Sequence, residues 1–178
     1  MTSQRFQRAF LPTIPARVRL FVSGIACALM LAGCVTRFDI GDAARHVTPG
    51  QAVGDMAQVR GKTVAWGGVI VGTMNLADKT RLEVLAYPLD GRNRPEVEAK
   101  PTGRFIAFHP GFLEPVNFAA GRLLTVIGTV TGTLPGTVGE ARYVYPVIEA
   151  SRVFLWPTPE QEAAQPQFHF GVGVGISR

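Results

Sequence analysis

The chain lacks acid at its start: no Asp or Glu precedes Asp39, whereas Arg5, Arg8, Arg17 and Arg19 stand within the first twenty positions. It is nearly without cysteine, holding only Cys27 and Cys34 among 178 residues. Two cysteines seven positions apart near one end cannot brace a domain, so a disulfide framework is excluded. HExxH is missing, as is any cysteine pair at zinc-finger spacing, which removes the recognisable zinc sites. No G-x-S-x-G occurs, and Ser151 and Ser177 lack a neighbouring base pattern. Gly171, Gly173 and Gly175 have the wrong spacing for a dinucleotide fingerprint, and no helix can follow them. Long helical patterns are absent as well, and charged residues make up only 17% of the chain. Its 20 glycines and 13 prolines instead favour short strands joined by turns.

The length has room for one ordinary domain. Without the four N-terminal arginines, 14 basic residues face 13 acidic ones, a net of +1. The high pI of about 9.8 therefore belongs mostly to the first 33 residues, and nucleic-acid binding loses its main support. From Leu20 to Gly33 the sequence LFVSGIACALMLAG is uncharged and mostly apolar. A basic segment followed by an apolar run of this length has the physical form of a secretory signal. A membrane-spanning helix needs about 20 apolar residues, and Arg37 and Asp39 close this run off.

Leu31-Ala32-Gly33-Cys34 resembles the bacterial lipobox, with a leucine three positions before the cysteine and small residues between them. Small side chains suit an extended backbone threaded into a peptidase cleft, and the thiol can form a thioether to diacylglycerol. The resemblance implies removal of residues 1–33 as a signal peptide, with diacylglyceryl and N-acyl groups on Cys34. Several acyl chains anchor firmly where one gives marginal binding. A plain signal peptide that happens to end in cysteine is the alternative. Val35 follows the cysteine, not the Asp linked with inner-membrane retention in enteric bacteria, so the outer membrane is the expected location.

Residues 34–58 are expected to form a flexible lipidated tether with a short helix, because Thr48-Pro49-Gly50-Gln51 has capping-box spacing with Pro at the first helical position. Residues 59–156 carry five β-type runs: Thr63–Val71, Thr80–Tyr87, Gly103–Phe108, Arg122–Thr131 and Tyr143–Trp156. In the second, Leu82, Val84 and Ala86 alternate with Arg81, Glu83 and Leu85, the period of a half-buried strand. The Gly67-Gly68 pair predicts a bend or bulge and Gly128 a kink. Leu134-Pro135-Gly136 reads as a turn. The fold expected is all-β, a small five-stranded OB-like barrel, with a β-sandwich as the alternative. Pro157 to Gln167 reads as a linker by composition and the Gly-rich end to Arg178 as a tail.

Trp66-Gly67-Gly68-Val69-Ile70, Leu82 to Asp90 (LEVLAYPLD), Gly103-Arg104-Phe105, Gly111 to Pro115 (GFLEP), Ile127 to Gly132 (IGTVTG), Pro146-Val147-Ile148-Glu149 and Leu155-Trp156 stand in order behind the lipobox. In that order and spacing they resemble the Slp family of bacterial outer-membrane lipoproteins, the starvation-inducible lipoproteins. The resemblance implies an outer-membrane address and supplies no reaction.

The chemistry that remains is sparse. His109 lies in a Phe-rich loop with nothing nearby to orient it, and His46 and His169 are distant in sequence. Glu83, Glu114 and Glu149 stand in the matching stretches; pairing with Arg104 or Arg152 explains such acids better than catalysis. Trp66, Phe108, Phe112, Phe118 and Trp156 read as core packing before ligand groove. No catalytic residue, metal ligand or cofactor is assigned, and the chain is read as a non-enzyme. Its expected partners are the membrane through the lipid, and envelope proteins or a small ligand. The alternative is a periplasmic small-molecule or glycan module using the loops Arg92 to Glu98 and His109 to Asn117; a hydrolase is the third reading.

Overall fold

Five β-branched and glycine-punctuated runs form strands that close on themselves in a ring. The computed structural model describes residues 38–164. The strands are β1 (Thr63–Asn75), β2 (Lys79–Tyr87), β3 (Gly103–Pro110), β4 (Leu123–Val138) and β5 (Ala141–Leu155). They pair in the ring β1-β2-β3-β5-β4, antiparallel except for the β3–β5 contact. This is a closed, barrel-like sheet of the OB type, as expected, in place of a sandwich.

Along β2 the inward residues Thr80, Leu82, Val84 and Ala86 are all buried, while Lys79, Arg81, Glu83 and Leu85 face outward. Val64, Trp66, Ile70, Phe105, Ala107, Leu124, Val126 and Ile148 fill the same interior. Burying a large aliphatic or aromatic side chain contributes about 1.5–3 kcal/mol, so this cluster dominates the stability. Closing so small a ring needs strands that curl sharply, and two glycines permit it. A Cβ on Gly68 would come within 2.0 Å of the Leu85 carbonyl oxygen, and one on Gly128 within 2.5 Å of the Glu149 carbonyl oxygen. The register shift expected at Gly128 is present in β4, whereas the ladder runs regularly through Gly67-Gly68 and the β1 bulge falls further along, between Ile70 and Gly72.

One end of the ring is plugged by α1 (Pro49–Gly54) and α2 (Met56–Val59), whose Ala52 and Val59 join the core. Thr48 and Gln51 form the anticipated capping box. The helix breaks at Asp55, whose φ of −110° and ψ of 30° leave helical space. Leu113 and Phe118, from the β3–β4 loop, pack against the core.

Three segments differ from expectation. Phe38 to Val47, read as tether, lies on the sheet: Phe38 and Ala43 are buried, and Ala44 forms a bridge with Val64. Its apolar residues cover Ala65, Ile127 and Trp156 on the outer face of β1, β4 and β5, a role that local composition does not reveal. Leu134-Pro135-Gly136 is strand: β4 and β5 run on as a two-stranded arm and turn at Gly139, with φ of 58°. Pro135 is tolerated because a two-stranded ribbon leaves an open edge on each strand. Within the expected linker, Pro159–Ala163 forms α3, capped by Thr158 and Gln161. That Thr-Pro-x-Gln spacing is the same signal as at Thr48, outweighed in the reading by Pro and Gln content. Among the described residues no helix is long and apolar enough to cross a membrane.

Candidate functional site

The lipobox, Leu31, Ala32, Gly33 and Cys34, lies outside the described residues, as do His169, Ser177 and the glycines of the tail. The remaining candidates are dispersed over the domain. His109 faces Thr80 across the β2–β3 ladder, and its Nδ1 is buried without a hydrogen-bond partner. A general base needs a group to orient its ring, and among the described residues none hydrogen-bonds to this Nδ1. Glu114 and Glu149 are exposed. Ser151 donates its hydroxyl to the Ile127 carbonyl. Trp66 and Trp156 are core residues, exposed by only 3% and 6%; Phe112, in contrast, is 67% exposed. Among the described residues no three His, Cys, Asp or Glu side chains gather as metal ligands.

Glu83 does take one of its anticipated partners: Arg104 Nη1 donates to its Oε1 at 2.9 Å. The Tyr145 hydroxyl, from the arm, donates to the Thr137 carbonyl at 2.9 Å and lies 3.1 Å from the same Glu83 oxygen. Burial pushes the Tyr145 phenol above its ordinary value, the hydrogen bond and negative charge of Glu83 add to this, and Arg104 and Arg81 oppose it. Tyr145, Val147 and Ile106 form a separate apolar cluster here. The arm therefore covers part of the outer β2–β3 face, which OB-type sheets elsewhere use for oligonucleotides and sugars.

The two loops named from sequence for a small-molecule or glycan module lie at opposite ends of β2. The loop after His109 is tied to the β2 start by Gly111 N–H to Asp78 O and by Thr80 Oγ1 to Gly111 O. The Arg92–Glu98 loop follows the β2 end, where Glu96 N–H donates to Pro88 O. Eight residue steps of strand separate them, about 26 Å.

A different cleft of about 290 Å³ opens between the Arg45–Pro49 segment and the ends of β1 and β2. Trp66, Ala65, Leu89 and Pro88 give it apolar walls; Arg45, His46, Tyr87 and Thr102 supply polar groups; no acid lines it. The Trp66 indole N–H donates to the Val47 carbonyl at 2.7 Å and so fixes one wall to the Phe38–Val47 segment, the strap over the sheet. Arg45 is held by neutral acceptors, Asn93 Oδ1 at 3.1 Å and Leu89 O at 3.5 Å. Its positive charge is thus positioned without being neutralised. Asn93 organises this corner: fully buried, with φ of 66°, it also donates to the Phe38 carbonyl at 2.7 Å and accepts from Thr125 Oγ1 through its own carbonyl. Sequence reasoning passed over Arg45 and Asn93. The turn-forming run Asp90-Gly91-Arg92-Asn93 was the available sign, since Asn tolerates left-handed backbone and bonds to nearby main chain.

Against known proteins, residues 31–173 match the family model described as the outer membrane lipoprotein Slp family. An uncharacterized lipoprotein, YeaY, of Escherichia coli (strain K12) is 35% identical over 147 residues, 79% of this chain and 74% of the relative. The outer membrane protein Slp of the same organism is 32% identical over 111 residues, 62% of this chain and 55% of that protein. An uncharacterized protein of Haemophilus influenzae is 43% identical over 96 residues, 53% of this chain and 52% of its own length. The family match begins at Leu31 and so takes in the lipobox together with all five strands.

Proposed function

The chain belongs to the outer membrane lipoprotein Slp family, and on that premise we propose that it is exported, cut between Gly33 and Cys34, acylated on Cys34 and held at the outer membrane, where its β-domain works by contact and not by catalysis. The observation that carries this is the family match starting at Leu31, which joins the Leu31-Ala32-Gly33-Cys34 motif to the domain in one continuous alignment. Contact is favoured over catalysis by the state of the candidate groups: among the described residues His109 Nδ1 has no hydrogen-bond partner to orient the ring, and Glu83 is engaged in an ion pair that also fastens the arm. Cys34→Ala is expected to abolish incorporation of labelled palmitate and to leave the leader attached, as read by intact mass. Palmitate still entering that variant overturns the anchor.

The cleft beside Arg45 favours ligand binding as the form that contact takes. A guanidinium with neutral partners, apolar walls and no acid in the lining suits a small amphipathic anion. Titration calorimetry with glycerol 3-phosphate and with octanoate tests it. Binding of either is expected, lost in Arg45→Gln and kept in Arg92→Gln; no heat from either ligand with the unaltered protein rules this reading out.

A further inference from the structure

Phe38 is the first described residue, and it is already fixed. It is 7% exposed, and its ring stacks on Phe154 at 5.0 Å with the Arg152 guanidinium 4.7 Å from its centroid. Its carbonyl accepts from Asn93 Nδ2, and a few residues on, Ala44 N–H donates to Thr63 O while Ala65 N–H donates to Ala44 O. Only four residue steps separate Cys34 from this point. Whatever path they take, they reach no farther than about 14 Å. A folded unit of this length has a radius of gyration of about 14 Å, so the leash is shorter than the domain is wide.

We infer that the side of the β-domain around Phe38 rests on the phospholipid headgroups of the membrane that holds the anchor. The inference builds on acylation of Cys34, proposed above, and adds the orientation and the partner. The exposed residues of this side include Asp39, Asp42, Arg45, His46, Arg92 and Arg152. None of the large exposed apolar side chains falls in the strap or on the nearby end of β5, so this surface lies on the headgroups and does not insert. Among the described residues Arg45 and Arg152 bond to neutral acceptors, Arg152 to the Asp39 carbonyl at 2.9 Å. Each guanidinium keeps N–H groups for phosphate oxygens. Asp39 and Asp42 balance part of that charge, so contact is set by the short leash and not by a free-standing affinity for lipid. The cleft shares Arg45 and His46 with this side, which places an amphipathic anion of the headgroup layer within its reach.

The test uses the mature acylated protein in vesicles of phosphatidylethanolamine and phosphatidylglycerol. Once the leader with Cys27 is removed and the Cys34 sulfur is alkylated, an added cysteine is the one free thiol. A fluorophore is placed at Asp42→Cys on the strap or at Glu140→Cys at the arm tip, and nitroxide-headgroup lipid serves as quencher. Quenching is expected to be several-fold stronger at position 42. Inserting about twenty Gly/Ser residues between Thr36 and Arg37, with a mean span of about 25 Å, is expected to bring it down towards the value at 140. Protein that does not float with the vesicles removes the anchor, and the orientation with it. Floating protein with equal quenching at both positions, or quenching at 42 that ignores the insertion, overturns the orientation alone.

Discussion

The closed sheet has two outer faces covered by the chain's own segments, and the two are sealed by different chemistry. On β1, β4 and β5 the strap closes over neutral groups. Asn93 holds the Phe38 carbonyl, Thr125 Oγ1 donates to Asn93 O, and the Trp156 indole N–H donates to Thr125 Oγ1 at 3.0 Å. Asn93 and Thr125 are fully buried. On β2 and β3 the arm closes over charge, with Glu83 and Arg104 each keeping 23% side-chain exposure beneath Tyr145. A buried neutral group that loses its partner stays dry and unsatisfied, at a cost of about 1–3 kcal/mol each. A partly exposed ion that loses its partner can be rehydrated, and such pairs contribute about 0–1 kcal/mol. The weaker-looking contacts on the strap side should therefore be the stronger lock.

Asn93→Ala is the largest test. It strips a donor from the Phe38 carbonyl and an acceptor from Arg45, and it leaves a Cβ residue at φ of 66°. A loss of about 3 kcal/mol in urea unfolding of the chain from Arg37 onward is expected. Asn93→Gly should recover about 1 kcal/mol of it, because glycine accepts that backbone. A loss below about 1 kcal/mol would break the contrast between the faces. Tyr145→Phe comes next, with about 1 kcal/mol from one hydroxyl that reaches Thr137 O and Glu83. Because the Tyr145 phenol titrates above its ordinary value, the stabilisation tied to its proton is complete below the unfolded range near pH 10. It is lost as pH rises through the raised value. The gap between the two proteins should narrow in that alkaline window; a gap that widens there contradicts the assigned cause.

Much of this was legible in the chain. Alternation marked β2 almost residue for residue, since a strand with one wet and one dry face prints its period in the sequence. Glycines at 68 and 128 marked the places where backbones nearly touch. The strap was not legible, because Phe38, Ile40 and Ala43 show no periodicity; what buries them is a sheet face formed by residues some 25 to 115 positions later. The arm was missed for a local reason, a Pro-Gly pair that ordinarily ends a strand but here sits in an unflanked ribbon. The cleft was missed because its polar groups come from three separate segments, and the spacing of Arg45, Tyr87 and Thr102 carries no pattern. The proposed anchor at Cys34 is of the opposite kind, since a lipobox is read by a peptidase as contiguous sequence.

The smallest effect separates the faces most cleanly. Glu83→Gln keeps an oxygen for the Tyr145 hydroxyl and for Arg104 Nη1, and it removes only the charge. With both side chains partly in water, the expected loss is about 0.5 kcal/mol, discounted for solvent screening. Salt supplies the control: at about 1 M ionic strength the Debye length falls to about 3 Å, so the unaltered protein should lose most of that advantage over the variant. The Asn93→Ala deficit, arising from neutral groups sealed away from ions, should stay unchanged across the same salt series. The Tyr145 phenol gives a second readout, because removing the Glu83 charge takes away part of what raises it. Its titration should move down in Glu83→Gln while the fold is intact. If salt instead erased the Asn93 deficit and left the Glu83 deficit standing, the strap would be the electrostatic closure and the arm the neutral one, reversing the assignment of the two faces.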